Sequence, residues 1–221
     1  VLKARGIEGL VIMHAVPAIA QLPMNLEDFS VIAIGLSVRQ PLPRVCLHQY
    51  QDMQTLCFEL IARGYRRPGL ILSHDLNERS NYQFSAAYLA ISQFHLRGLR
   101  IPIFFSDESP STQLRHWLRK HRPDAVIFHH VDTSLTTVRA EAKALGLKTP
   151  AQLGIASLDL RIGHGAPSGL RQGWETLGKR AAEAVIMRVY HGLKGPSVQP
   201  SIEMITGEWI DGGTAPTRAA P

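Results

Sequence analysis

From Glu8 onward the chain alternates short apolar runs with segments of helical period, and that alternation restricts it to a parallel β-sheet joined by crossover helices. The runs "GLVIM" (9–13), "VIAIG" (31–35), "RVCL" (44–47), "GLIL" (69–72), "IPIFF" (101–105), "AVIF" (125–128) and "LGIASL" (153–158) read as buried strands. Helices are expected over 53–63, 82–96, 112–121, 134–145 and 176–190. In the first of these Met53, Leu56, Cys57, Leu60 and Ile61 make one apolar stripe, and Gly64 supplies a stop. "SIEMITGEW" (201–209) reads as one final strand, and the Gly, Thr, Pro and Ala residues after it as a frayed end.

Composition narrows the class. With 45% hydrophobic and 19% charged residues over 221 positions, the chain is globular rather than disordered or fibrous, and fits one large domain or two small lobes. No apolar run approaches the roughly 18–20 residues needed to cross a bilayer. Cys46 and Cys57 lie in apolar patterns and suit reduced core thiols, which points to the cytoplasm. The net charge of +6 is concentrated in 62–67, 96–100 and 114–122. Each cluster closes a helical pattern, where cations favour the helix dipole, although such a balance also permits contact with nucleic acid.

The stretch "DAVIFHHVDTS" (124–134) places two histidines and an aspartate at the carboxyl end of a strand, where ligands of open α/β sheets bind. Successive strand residues face opposite ways, so His129 and His130 do not converge on one ion, and no H-x-x-x-H or C-x-x-C pattern lies nearby. No metal or other cofactor is expected. A hydrolytic triad is not expected either, because Ser157, Ser168 and Ser197 lack the glycines of a nucleophile elbow. The expectation is that His129 packs structurally while His130 or Asp132 faces a cleft. "GHGAPSG" (163–169) has neither phosphate-loop spacing nor a following Lys-Ser/Thr, and reads as a flexible connection. Asp159 ends another strand, and Arg79 follows "GLILS". One guanidinium and two carboxylates at strand ends can fork to the hydroxyl pairs of a small ligand.

Several of these segments together resemble the lactose and galactose repressor family. "RVCLHQYQDMQTLCFELIARGYRRPGLIL" is similar to that family's strand, crossover helix and next strand. "RPDAVIFHHVD", "KALGLKTPAQLGIASLD" and "SGLRQGWETLGKRAAEAVI" resemble its later signposts, including the Leu177–Gly178 pair. The resemblance implies an α/β, periplasmic-binding-protein-like fold, with two lobes of parallel sheet flanked by helices and a small molecule between them. It assigns 1–47 and 168–195 to an N-terminal lobe, and 48–167 with 196–221 to a second. It also implies that the first lobe is incomplete at its N-terminus, with an uncovered edge, because a helix-turn-helix and an opening strand-helix-strand would precede Val1.

The implied function is the effector-binding and dimerisation domain of a transcriptional regulator. Its partners would be a sugar-like effector, operator DNA reached through the helix-turn-helix, and a second copy of the chain, with no membrane contact. Arg79 and Asp159 match the family's effector-contacting arginine and aspartate. His130 and Asp132 fall where it has a polar pair, Gln49 and Tyr50 where it has aspartate-asparagine, and Tyr82 where it has glycine. The expected effector contacts are therefore Arg79, His130, Asp132, Asp159 and Tyr50. A transporter's solute-binding protein shares the architecture. An α/β enzyme using His130 with Asp132 or Asp159 as acid and base is the reading from another class.

Overall fold

A computed structural model of the chain describes residues 1–106, 111–129, 135–160 and 167–218. The strands are β1 (Gly9–Ile12), β2 (Ser30–Ile34), β3 (Arg44–Leu47), β4 (Pro68–Leu72), β5 (Phe104–Phe105), β6 (Ala125–Phe128), β7 (Gly154–Ser157), β8 (Ser168–Arg171), β9 (Ile202–Ile205) and β10 (Glu208–Ile210). The helices are α1 (Gln49–Ala62), α2 (His74–Arg79), α3 (Gln83–Phe94), α4 (Ser111–His121), α5 (Leu135–Ala144) and α6 (Trp174–Tyr190). The chain forms two compact units, one of residues 1–48, 78–81 and 173–206, the other of 49–77, 82–172 and 207–221.

The first unit holds a four-stranded parallel sheet in the order β1-β2-β3-β9. Strand alternation sends Ile32, Ile34, Val45 and Leu47 to one face, where they pack with Leu177 and Ala181 of α6. Val31 and Ala33 go to the other face and meet Leu26, Phe29 and Leu42. Among the described residues β1 pairs with β2 alone. Arg44, inside an apolar run, is buried and donates to the carbonyls of Gly35, Val38, Gln40 and Leu42, which ties the loop ahead of β3 into place.

The second unit carries a six-stranded sheet in the order β10-β8-β7-β6-β4-β5, parallel except for β10. Leu70, Leu72, Ala125, Ile127 and Ala156 point into a core shared with Met53, Leu56 and Leu60 of α1 and Phe84, Tyr88 and Ile91 of α3. Ile71, Val126, Phe128 and Ile155 point the other way, to Leu114, Trp117 and Leu118 of α4 and Val138 and Ala142 of α5. Both faces are covered, which is why these strands are apolar at every position rather than at alternate ones. Cys57 lies in the first of these cores, and burial pushes its thiol up to about 12.

The structure departs from the sequence reading at the chain's end and at its boundaries. "SIEMITGEW" is two strands in two sheets: β9 pairs with β3, and β10 with β8. Gly169, read as part of a flexible connection, belongs to β8, while 161–166 lie outside the described residues. The boundaries fall at 172/173 and 206/207 instead of near 168 and 195, because β8 pairs with β7 and β9 pairs with β3.

The tail through Arg218 is anchored rather than frayed. Ser168 Oγ accepts from the N–H groups of Gly212, Thr214 and Ala215, and Thr214 Oγ1 donates to the Ile155 carbonyl. Tyr65 donates its hydroxyl to the Pro216 carbonyl, and Arg218 pairs with Asp124. Composition pointed to disorder here, but a buried Ser–Thr hydrogen-bond knot overrides it.

Gly169 is the tightest point of this sheet. Its φ is +157°, and a β-carbon there would lie 2.2 Å from the Ser157 carbonyl oxygen. Gly169→Ala must therefore push β8 off β7 and loosen the Ser168 knot. The expected loss is about 3 kcal/mol of stability in a denaturant titration.

Candidate functional site

Because the faces of its inner strands are sealed, the buried polar groups of the second sheet gather at the strand ends. The carboxyl ends of β4, β6, β7 and β8 lead into Ser73, His129, Asp159 and Gln172, all of them buried. The first turns of α1 and α3 are joined by the Tyr50 N–H, which donates to Gln83 Oε1 at 3.3 Å.

Asp159 follows β7 and is 2% exposed. Its N–H donates to Ser157 Oγ at 3.2 Å, and its carbonyl accepts from the same hydroxyl at 3.0 Å. Gln172 Nε2 donates to the Leu158 carbonyl at 3.0 Å. Tyr50 is half-buried against the core beneath α1 and α3. His129 is buried, with its ring centroid 6.3 Å from that of Phe84. Arg79 ends α2 and is half-buried in the 78–81 segment of the first unit, whereas Tyr50 and Asp159 belong to the second. His130 and Asp132 lie outside the described residues. Tyr82, standing where a glycine is usual, adopts the left-handed conformation that favours glycine, with φ 61°.

The group that sequence reasoning missed is Asp52. It is 1% exposed, and its Oδ1 accepts from the Gly207 N–H at 2.8 Å. Its Oδ2 and the Gln49 Oε1, one turn earlier on α1, are buried without a hydrogen-bond partner among the described residues. Burial pushes the Asp52 carboxyl up to about 6; the Gly207 N–H opposes that shift and the charge of Asp159 adds to it. A signal was present, since Asp52, Leu56 and Leu60 fall at i, i+4 and i+8 and so extend the buried stripe by one turn. Among the described residues no group of three or more His, Cys, Asp or Glu is placed to hold a metal ion.

Residues 58–214 match the family model of the periplasmic binding protein-like domain. The chain belongs to that family. No curated protein matches it in sequence. Solved structures share this periplasmic-binding-protein-like fold at low identity. A LacI-family transcriptional regulator protein from Rhizobium etli is similar at TM-score 0.73 and 17% identity, over 97% of this chain and 80% of that one. A periplasmic binding protein/LacI transcriptional regulator from Alkaliphilus metalliredigens, complexed with D-xylulofuranose, is similar at TM-score 0.66 and 14% identity, over 95% and 78%. The lac repressor dimer bound to operator and the anti-inducer ONPF is similar at TM-score 0.68 and 14% identity, over 97% of this chain and 66% of that one.

The raised Asp52 carboxyl makes stability depend on pH. The folded state holds this proton up to about pH 6, while the unfolded chain releases it near its usual 3.8. Stability from this group is thus present at low pH and is lost as pH rises from about 4 to about 6, with no further change above. Asp52→Asn removes that slope and retains an oxygen for Gly207. Thermal melts should find the variant and the parent equal near pH 4, with the variant more stable at pH 7.5 by on the order of 3 kcal/mol.

Proposed function

We propose that this chain is the effector-binding and dimerisation domain of a bacterial LacI-type transcriptional regulator, located in the cytoplasm. It binds a sugar or related metabolite and performs no chemistry on it. Operator DNA would be contacted by a helix-turn-helix outside these 221 residues, and effector binding would shift the equilibrium that governs operator affinity.

The observation that carries this reading is the family match over residues 58–214, together with the polar groups Tyr50, Asp159 and Gln172 at the carboxyl-end region of a sheet sealed on both faces. Carboxylates and amides there suit the hydroxyl pairs of a polyol. A relative of the same fold complexed with D-xylulofuranose supports the ligand class, and the operator-bound lac repressor supports the regulatory role. Arg79, Tyr50, Asp159, His130 and Asp132 are the proposed effector contacts.

A thermal-shift screen against sugars, sugar acids and nucleobases tests the reading. A ligand at a hundred times its dissociation constant stabilises by about 2.7 kcal/mol, so a saturable shift of several degrees is expected from a sugar or sugar acid. With that compound in calorimetry, Arg79→Ala should weaken binding about ten-fold, the equivalent of about 1.4 kcal/mol. No saturable shift across the screen would sink the effector reading, and unchanged affinity would remove Arg79 from the site.

A further inference from the structure

The amino ends of the second unit's parallel strands carry a surface of one charge sign, at the opposite edge of the sheet from Asp159 and Gln172. Arg66 and Arg67 lead into β4, Arg122 leads into β6, and Arg97 and Arg100 lie between α3 and β5. Arg119 and Lys120 stand in the last turn of α4. All of them are exposed. Hydrogen bonds tie these segments together. The Arg67 guanidinium donates to the carbonyls of His121 and Arg122, at 2.7 and 3.2 Å. The Tyr88 hydroxyl lies 3.1 Å from the Pro68 carbonyl and 3.2 Å from that of Ile101, which sets Arg100 beside the start of β4. Arg218 donates to the Gln152 carbonyl and the Lys148 N–H donates to Gln152 Oε1, so two more cations border the same edge.

The carboxylate set among them, Asp124, does not neutralise this surface. It accepts the N–H groups of Arg66 and Arg67 at 2.7 and 2.9 Å and pairs with Arg218 at 3.3 Å. Nearby Arg63 is taken up by Glu59 and Asp211. Arg97, Arg100, Arg119, Lys120 and Arg122 make no side-chain hydrogen bond or ion pair among the described residues. The helix dipole accounts for only part of the set, because it acts within the last turn of a helix. Arg119 and Lys120 meet that condition, but the last turns of α1 and α3 hold no cation, and the arginines there follow the helix end. Like charges gathered this way repel one another and favour a partner of opposite sign.

We propose that this surface binds the phosphate backbone of duplex DNA without reading its sequence. Most of its cations are arginines, whose guanidinium forks match phosphate oxygens. A partner protein ordinarily presents charges of both signs, whereas a surface of one sign is the complement of a uniform polyanion. The choice of DNA among polyanions rests on the regulator reading above, and it adds to that reading a second DNA contact, outside the helix-turn-helix.

Fluorescence anisotropy of a labelled duplex of about 20 base pairs and arbitrary sequence, titrated with the 221-residue chain, tests the proposal. With about four phosphates neutralised, affinity should fall about a hundred-fold between 50 and 200 mM salt. Combining Arg100→Glu, Arg119→Glu and Lys120→Glu should weaken binding at 50 mM salt by about ten-fold or more, and should make the salt slope shallower by about one for each cation that meets a phosphate. Combining Arg5→Glu, Lys179→Glu and Lys194→Glu changes the net charge equally at exposed positions of the first unit, and should leave affinity within about three-fold. If the first triple variant does not fold, Arg100→Gln, Arg119→Gln and Lys120→Gln should give the same ranking. Equal losses in the two triple variants, or no binding by the parent chain at 50 mM salt, would overturn the proposal. So would a glutamate peptide of matched charge that displaces the duplex at equal concentration, which would assign the surface to an acidic protein. The titration contains no effector, so absent DNA binding sinks only this proposal, and a null thermal-shift screen sinks only the effector reading.

Discussion

A parallel sheet buried on both faces can offer chemistry only at its ends, and the second unit is organised by that constraint. Leu70 and Ile71, Ile127 and Val126, and Ala156 and Ile155 leave the sheet in opposite directions, each into its own core. Apolar packing takes up both faces of these strands. Asp159, Gln172 and His129 are therefore at strand ends, and the first turns of α1 and α3 add Tyr50, Asp52 and Gln83. Gly169 and the Ser168–Thr214 knot hold β8 close to β7, which fixes Gln172 relative to Asp159.

Asp52 is where this arrangement departs from the logic of a packed core. A helix position that could have carried an apolar side chain instead carries a buried carboxyl, with one oxygen bonded to Gly207 and the other without a described partner. Such a group lowers stability at neutral pH unless a proton or a donor meets it.

Most of the fold was legible because buried parallel strands are short continuous apolar runs. "AVIF" and "RVCL" match β6 and β3 residue for residue. What failed had specific physical causes. In "IPIFF" only Phe104 and Phe105 pair, since the Trp117 indole claims the Pro102 carbonyl. Strand β8 was hidden because its close approach to β7 demands Gly169, which breaks the apolar pattern. Helix α2 is a single short helix after Ser73, whose Oγ accepts from the Leu76 N–H, and it carries no apolar period to read. Among the expected contacts, Asp159 was read from its strand-end position and Tyr50 only from the family resemblance. Asp52 was missed because an acid inside an apolar stripe is ordinarily assigned to solvent.

Hydrogen exchange on the 221-residue chain, with and without a sugar that gives a saturable thermal shift, tests the central claim that ligand is held at the strand ends of the second unit. The account predicts that ligand slows the amides of Tyr50, Asp52, Asp159 and Gly207, while those of α4 and α5 keep their rates. Slowing confined to α4 and α5, or to the first unit, would contradict it.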